Sequence, residues 1–191
     1  MALIADAPVL HLDHWHRDVS IEERALVASA DGPVLDVGCG PGRFVEALMC
    51  SGVHAVGIDA APAAVAMART RGVHALPVSV FDRAVPAAAW RTLLLLDGNI
   101  GIGGAPARLL KRVRELLAPG GHALVEFEPP GASTRTGVVQ FEIAAGMVGW
   151  FPWAWVSIDD ARSLAGAEGF EVASVETFAD RWFARLLPSV G

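Results

Sequence analysis

Short apolar runs alternate with stretches of helical period along most of the chain. Residues 33–37, 53–58, 73–80, 92–96 and 122–128 read as strands. Between them, 42–50, 62–71 and 106–117 place apolar residues at three- and four-residue spacing, which predicts helices. Pro62 suits the first turn of its helix. Ala118-Pro119-Gly120-Gly121 after a basic last turn is a stop signal. The four leucines after Thr92 fit a strand buried on both faces, as at the centre of a parallel sheet. Ser157 is placed to cap a helix over 157–168, with Asp159 and Asp160 in its first turn. Residues 170–178 and 182–187 predict a closing antiparallel pair that turns at 179–181. This alternation implies an α/β fold built on a mostly parallel sheet. One domain over 1–191 is expected: an arm and helix in 1–31 (the helix near 21–30), and an insertion or lid over 129–156 between the fifth strand and the next helix.

The sharpest chemical signal is Asp36-Val37-Gly38-Cys39-Gly40-Pro41-Gly42, between the first strand and its helix. Three alternate glycines let backbone approach a ligand closely. Asp59 ends the next strand, 21 residues after Gly38, where a carboxylate can accept both hydroxyls of a ribose. A dinucleotide site has the spacing G-x-G-x-x-G and seats a pyrophosphate on the helix N-terminus. Here the spacing is G-x-G-x-G, and Asp36 would repel phosphate while suiting a cationic amino-acid group. A ligand with a ribose, an ammonium and no phosphate fits, and S-adenosylmethionine is such a ligand.

On these residues the chain resembles the class I S-adenosylmethionine-dependent methyltransferases, over about 33–187. The resemblance implies a Rossmann-like seven-stranded sheet in the order 3-2-1-4-5-7-6, strand 7 antiparallel, with helices on both faces. It implies S-adenosyl-L-methionine as cofactor, held by Asp36, Gly38, Cys39, Gly40 and Gly42, by Asp59 at the ribose and by Ala60 near the adenine. The family's third strand usually ends in an Asp at the adenine amino group. Here Ser79 holds that place if the Val80 backbone faces the adenine, with Phe81 following; alternatively Asp82 is the acid, in a register shifted by three. Leu116-Leu117-Ala118-Pro119-Gly120-Gly121 resembles the family's turn before strand five. Residues 94–104 and Trp150-Phe151-Pro152-Trp153 are similar to a group of actinobacterial small-molecule-type methyltransferases.

The fourth strand ends at Asp97-Gly98-Asn99, a position that in the family lies beside the methionine part of the cofactor and the acceptor. Asp97 and Asn99 are therefore the expected catalytic residues, acting by positioning, with Asp97 and Gly98 also against the cofactor; a plain loop is the alternative. Gly101 to Gly104 suggests close backbone approach. Phe151, Trp153 and Trp155 alternate as on a strand and can share one face. Over the strand ends they would hold an apolar acceptor or face a sulfonium; core packing or a homodimer interface is the alternative. Glu128 falls near the pocket rim. Trp15 belongs to an arm with His11, His14 and His16, of a kind that often closes these pockets in the family. The expected acceptor contacts are thus Trp15, Asn99, Glu128, Phe151 and Trp153. No carboxylate or cysteine spacing supports a metal site.

Composition narrows the partners. With 15 basic and 21 acidic residues the net charge is −6, and Lys111 is the only lysine. That argues against a nucleic-acid partner, since counterion release needs clustered cations. Hydrophobic residues make up 53% of the chain and mean hydropathy is +0.42. Yet the longest uncharged run, 143–158, is too short to span a bilayer and contains Pro152. Two cysteines and an N-terminus without a basic, apolar leader point to the cytoplasm. The leading expectation is methyl transfer to a small molecule; the alternative is a non-catalytic cofactor-binding or interaction protein that keeps the fold. A protein or nucleic-acid methyltransferase and a nicotinamide dehydrogenase rank below both.

Overall fold

The computed structural model describes residues 9–11, 17–143 and 146–189. In chain order its strands are β1 (Val9–His11), β2 (Val34–Val37), β3 (Ala55–Ile58), β4 (Ala75–Leu76), β5 (Trp90–Leu95), β6 (Leu117–Phe127), β7 (Arg135–Ile143), β8 (Gly146–Trp155), β9 (Phe170–Phe178) and β10 (Arg181–Pro188). The α-helices are α1 (Ile21–Val27), α2 (Arg43–Cys50), α3 (Pro62–Thr70), α4 (Pro106–Leu116) and α5 (Ala161–Ala167). Tight 3-10 turns cover Asn99–Gly104 and Ile158–Asp160.

Seven strands form one sheet in the order β4-β3-β2-β5-β6-β10-β9. Counted within this sheet the order is 3-2-1-4-5-7-6, and the seventh strand, β10, runs antiparallel to both neighbours. The leucine run explains why β5 sits at the centre. Leu93 and Leu95 face a core made with Leu109, Leu110, Val113 and Leu116 of α4 and Ala161 and Ala165 of α5. Leu94 and Leu96 face a second core with Leu26 of α1, Phe44, Val45 and Leu48 of α2 and Val65 and Ala68 of α3. Alternation along one strand thus feeds both faces of the sheet.

The third strand is shorter than the sequence pattern predicts: β4 holds two residues, not 73–80. Pro77 follows at once, and it has no N–H to extend the ladder. The β9–β10 hairpin turns on Ala179 and Asp180, both at positive φ (48° and 55°), as a two-residue turn matched to strand twist requires. Ser157 caps as expected, accepting from the Asp159 amide at 3.2 Å, but the first turn is 3-10 and α5 starts at Ala161.

The insertion is a β7–β8 hairpin with β1 added parallel to β7. It packs on the turn that follows β5. A Cβ built on Gly101 would lie 2.2 Å from the Ala154 carbonyl oxygen and 2.6 Å from Trp153 Nε1. The glycines after Asn99 do serve close approach, and what approaches is strand β8. Among the described residues no helix is long and apolar enough to cross a membrane.

Candidate functional site

The glycine loop leaves β2 at the carboxyl edge of the sheet, beside the point where strand order reverses between β2 and β5. Its amides at Gly38 and Cys39 donate to the Ile58 carbonyl at 2.8 and 3.0 Å, fixing it to the end of β3. The Asp59 carboxylate accepts from the Gly40 amide at 3.0 Å and from the Ala61 amide at 2.8 Å. It therefore ties the loop to the next helix as well as standing at the strand end. Burial raises its pKa, against those two backbone bonds. On the other side, the Asn99 amide donates to the Val37 and Gly38 carbonyls at 2.8 and 3.0 Å. Gly38 has φ +73°, and a Cβ there would lie 2.7 Å from Asn99 Nδ2, so only glycine admits this clamp.

Asp36 lies beneath the loop, 2% exposed, and its Oδ2 has no hydrogen-bond partner. Burial pushes its pKa up to about 7, Asp97 adds to the rise, and Arg43 opposes it. Cys39 is buried beside it; burial first, then Asp36 and Asp59, hold the thiol protonated.

Asp97 is at the end of β5 with φ +54°, a conformation Asp tolerates better than most residues. Its carboxylate is held from two sides. Arg43 donates to both oxygens at 2.7 and 2.9 Å, and Arg181 to Oδ1 at 2.9 Å. Arg43 also pairs with Glu23 at 2.8 Å, and Arg181 with Glu23 at 2.5 Å and with Glu126 at 2.7 Å. Arg17 reaches Glu23 at 3.0 Å, and the Asp97 amide donates to Glu126 at 2.6 Å. Burial alone would raise the Glu23 carboxyl, but Arg43, the Ser20 amide and Arg181 bring it down to about 2. Three guanidiniums and three carboxylates so join α1, α2, the ends of β5 and β6, and the β9–β10 hairpin.

Over this network opens a cavity of about 360 Å³, walled by Asp97, Gly98, Glu126, Glu128, Trp153 and Trp155, with Ile100 and Phe127 adding apolar surface. Arg17 and Arg181 close its charged side. Glu128 is fixed through its backbone: its amide donates to Val156 at 2.8 Å, and its carbonyl accepts from Ile158 at 2.9 Å. Burial raises the pKa of its carboxyl, with Arg135 opposing.

Residues 14–175 match a family described as a methyltransferase domain. The chain belongs to the class I S-adenosylmethionine-dependent methyltransferases. A methyltransferase from Bacteroides fragilis, solved with S-adenosyl-L-homocysteine, is 27% identical at TM-score 0.77, over 93% of this chain and 81% of that one. The 1,6-didemethyltoxoflavin-N1-methyltransferase of Burkholderia thailandensis shares the fold at 17% identity and TM-score 0.64, over 87% of this chain and 76% of that one. An uncharacterised methyltransferase of Mycolicibacterium gilvum is 30% identical over 129 residues, 66% of this chain and 48% of its own. The chain spans about half the length of the curated relatives it matches.

Within this methyltransferase fold the expected site residues do not all meet at one place. Asp36, Gly38, Cys39, Gly40, Gly42 and Asp59 meet around the glycine loop, with Ala60 exposed beyond Asp59. Asp97, Gly98, Glu128 and Trp153 wall the cavity. Asn99 is buried and its amide clamps the glycine loop, and Phe151 is 38% exposed and not part of the cavity wall. Trp15 lies outside the described residues. Past β4, the Phe81 amide donates to Ser79 Oγ at 3.3 Å, and the Val80 carbonyl accepts from Arg112 at 3.0 Å. Asp82 closes a local turn by accepting from the Ala84 amide at 2.8 Å.

Sequence reasoning missed Glu23, Arg43 and Arg181 as site components, while Trp155, expected on the lid face, does stand in the cavity wall. Arg43 carried a readable signal. A cation at the first position of a helix opposes the helix dipole, and on a helix this apolar it needs carboxylate partners to be buried.

Proposed function

We propose that the chain transfers a methyl group from S-adenosylmethionine to a small-molecule acceptor, chiefly by positioning the two. The cavity of about 360 Å³ beside Asp97 and Gly98 carries this reading. It lies at the end of the central strand, where Asp97 is paired with Arg43 of the helix that follows the glycine loop, and has the size and largely apolar walls of a small-molecule site. A protein that only bound the cofactor would have no need of that space.

The residues present fit the cofactor. The buried, unpartnered Asp36 Oδ2 calls for a cation or donor, and the ligand's ammonium answers it. Asp59, at the end of β3, has a carboxylate for the ribose hydroxyls. The complex of the Bacteroides fragilis relative with S-adenosyl-L-homocysteine supports the same assignment. When bound, the cofactor supplies an electrophilic methyl on a sulfonium. The protein's part is to orient the acceptor along the methyl–sulfur axis and to keep water out. Asp97 and Gly98 border both sites, and Glu128, Trp153 and Trp155 form the acceptor side.

Calorimetry with S-adenosylhomocysteine tests the reading. The wild type should bind it, and Asp59→Ala should weaken binding by about 1–3 kcal/mol through unpaired ribose hydroxyls. No binding by the wild type, or tighter binding of NADH, would reject the assignment.

A further inference from the structure

Charge around the cavity is unevenly matched. Arg17, Arg43 and Arg181 are joined by ion pairs to Glu23, Asp97 and Glu126, three of each sign. Glu128 stands outside this network. Among the described residues no side chain forms an ion pair or hydrogen bond with its carboxylate. Arg135, whose charge acts on it, lies over the Trp155 ring at 4.3 Å and donates to the Ser133 carbonyl. The backbone of Glu128 is tied at both its amide and its carbonyl, so the carboxylate is presented from a fixed point. Trp153 and Trp155 wall the same space. A lone carboxylate among indoles is the chemistry that recognises an organic cation. A carboxylate-bearing acceptor would face Glu128 while the two arginines of the wall, Arg17 and Arg181, are already paired with Glu23, Asp97 and Glu126, and a neutral alcohol would leave Glu128 half-buried without a counter-charge.

Resting on the methyltransferase reading above, we propose that the acceptor is an amine, entering as its ammonium ion and held by Glu128 between Trp153 and Trp155. An ammonium has no lone pair, so it must lose a proton before it can attack. Glu128 accepts that proton. The nitrogen lone pair then forms the new N–C bond as the methyl C–S bond breaks, and the C–S electron pair stays on sulfur as a neutral thioether. The product leaves as an N-methylammonium, and Glu128 returns its proton to water. Total charge is the same before and after.

The test is binding, with the protein saturated in S-adenosylhomocysteine. Phenethylamine and tryptamine are compared with 2-phenylethanol and 3-phenylpropionate by calorimetry and ligand-observed NMR at pH 7. The amines should bind about tenfold tighter than the alcohol, the scale of one charge-assisted hydrogen bond. The carboxylate should bind weakest. Glu128→Gln should remove the amine preference, while its affinity for S-adenosylhomocysteine, within about twofold of wild type, reports an intact fold. Equal binding of amine and alcohol, absence of amine binding, or an unchanged preference in Glu128→Gln overturns the inference and leaves the methyltransferase reading standing. A wild type that does not bind S-adenosylhomocysteine overturns both.

Discussion

With the cofactor's ammonium seated on Asp36, as proposed above, cofactor binding becomes a proton-linked event. The Asp36 carboxyl is buried, its Oδ2 has no partner, and burial with Asp97 nearby puts its pKa at about 7. A ligand ammonium pairs with the carboxylate and not with the acid, so binding must expel the proton. Apparent affinity then follows the ionised fraction of Asp36. For a pKa of about 7 that fraction, and with it the affinity for S-adenosylhomocysteine, should rise about eightfold from pH 6.0 to 7.5. Above that range the ligand's own amine begins to lose its charge. Calorimetry at pH 6.0 in two buffers of different ionisation enthalpy should count about 0.9 proton released per ligand bound, as the protonated fraction requires. In Asp36→Asn the release should vanish and the profile flatten at lower affinity.

The same shift has an opposite sign in the stability of the free protein. A carboxyl with a raised folded pKa binds its proton more tightly folded than unfolded. Its contribution is therefore full below about pH 4 and is lost as pH rises to about 7, on the order of 4 kcal/mol at most. Asp36→Asn should stabilise the free protein at pH 8 while weakening the ligand. A wild type whose affinity is flat across pH 6.0–7.5, or an Asp36→Asn variant with the same slope, would show that the ammonium is met elsewhere.

Asn99→Ala removes both bonds from Asn99 to the Val37 and Gly38 carbonyls. It should cost about 1–3 kcal/mol in thermal stability and lower S-adenosylhomocysteine affinity as the glycine loop loosens. An unchanged Tm and affinity with turnover alone impaired would return Asn99 to the acceptor. Gly101→Ala drives a methyl into the Ala154 carbonyl and the Trp153 indole. Because Gly101 is not among the positive-φ glycines, the effect is purely steric. It should destabilise by about 1–3 kcal/mol or more, read by denaturant unfolding, and an unaffected variant would refute the close packing of β8.

What could be read from the sequence was what local pattern determines. The leucines of β5, the glycine loop, the Pro-Gly-Gly stop and the closing strand pair each carry their own periodicity or turn chemistry, and strand order followed from the resemblance those residues support. The Asn99 clamp was not readable because its partners are the carbonyls of residues 62 and 61 positions away. An amide at a strand end looks the same whether it faces a ligand or a neighbouring loop. Phe151 and Trp153 share a strand face by alternation, yet one is 38% exposed and the other 6%. The difference is made by where β8 crosses the turn after β5, a tertiary fact with no local signature. The Arg181 network likewise needs Glu23, 158 positions away, and nothing in a hairpin turn announces such a partner.

That network also bears on why Asp97 is where it is. A left-handed Asp at the end of the central strand costs free energy that the surrounding structure must offset. Here two arginines and the Glu126 contact to its amide supply that hold. Arg43 opens the helix of the glycine loop, and Arg181 leads out of the hairpin that borders the cavity. Asp97 also raises the pKa of Asp36. One carboxylate thus touches the electrostatics of the proposed cofactor seat and the wall of the proposed acceptor seat at once. Moving it toward either would pull on the same two guanidiniums. The proposed acceptor seat and the proposed cofactor seat are therefore tied to one charged unit, and Glu128, outside that unit, is the group we propose chooses what enters.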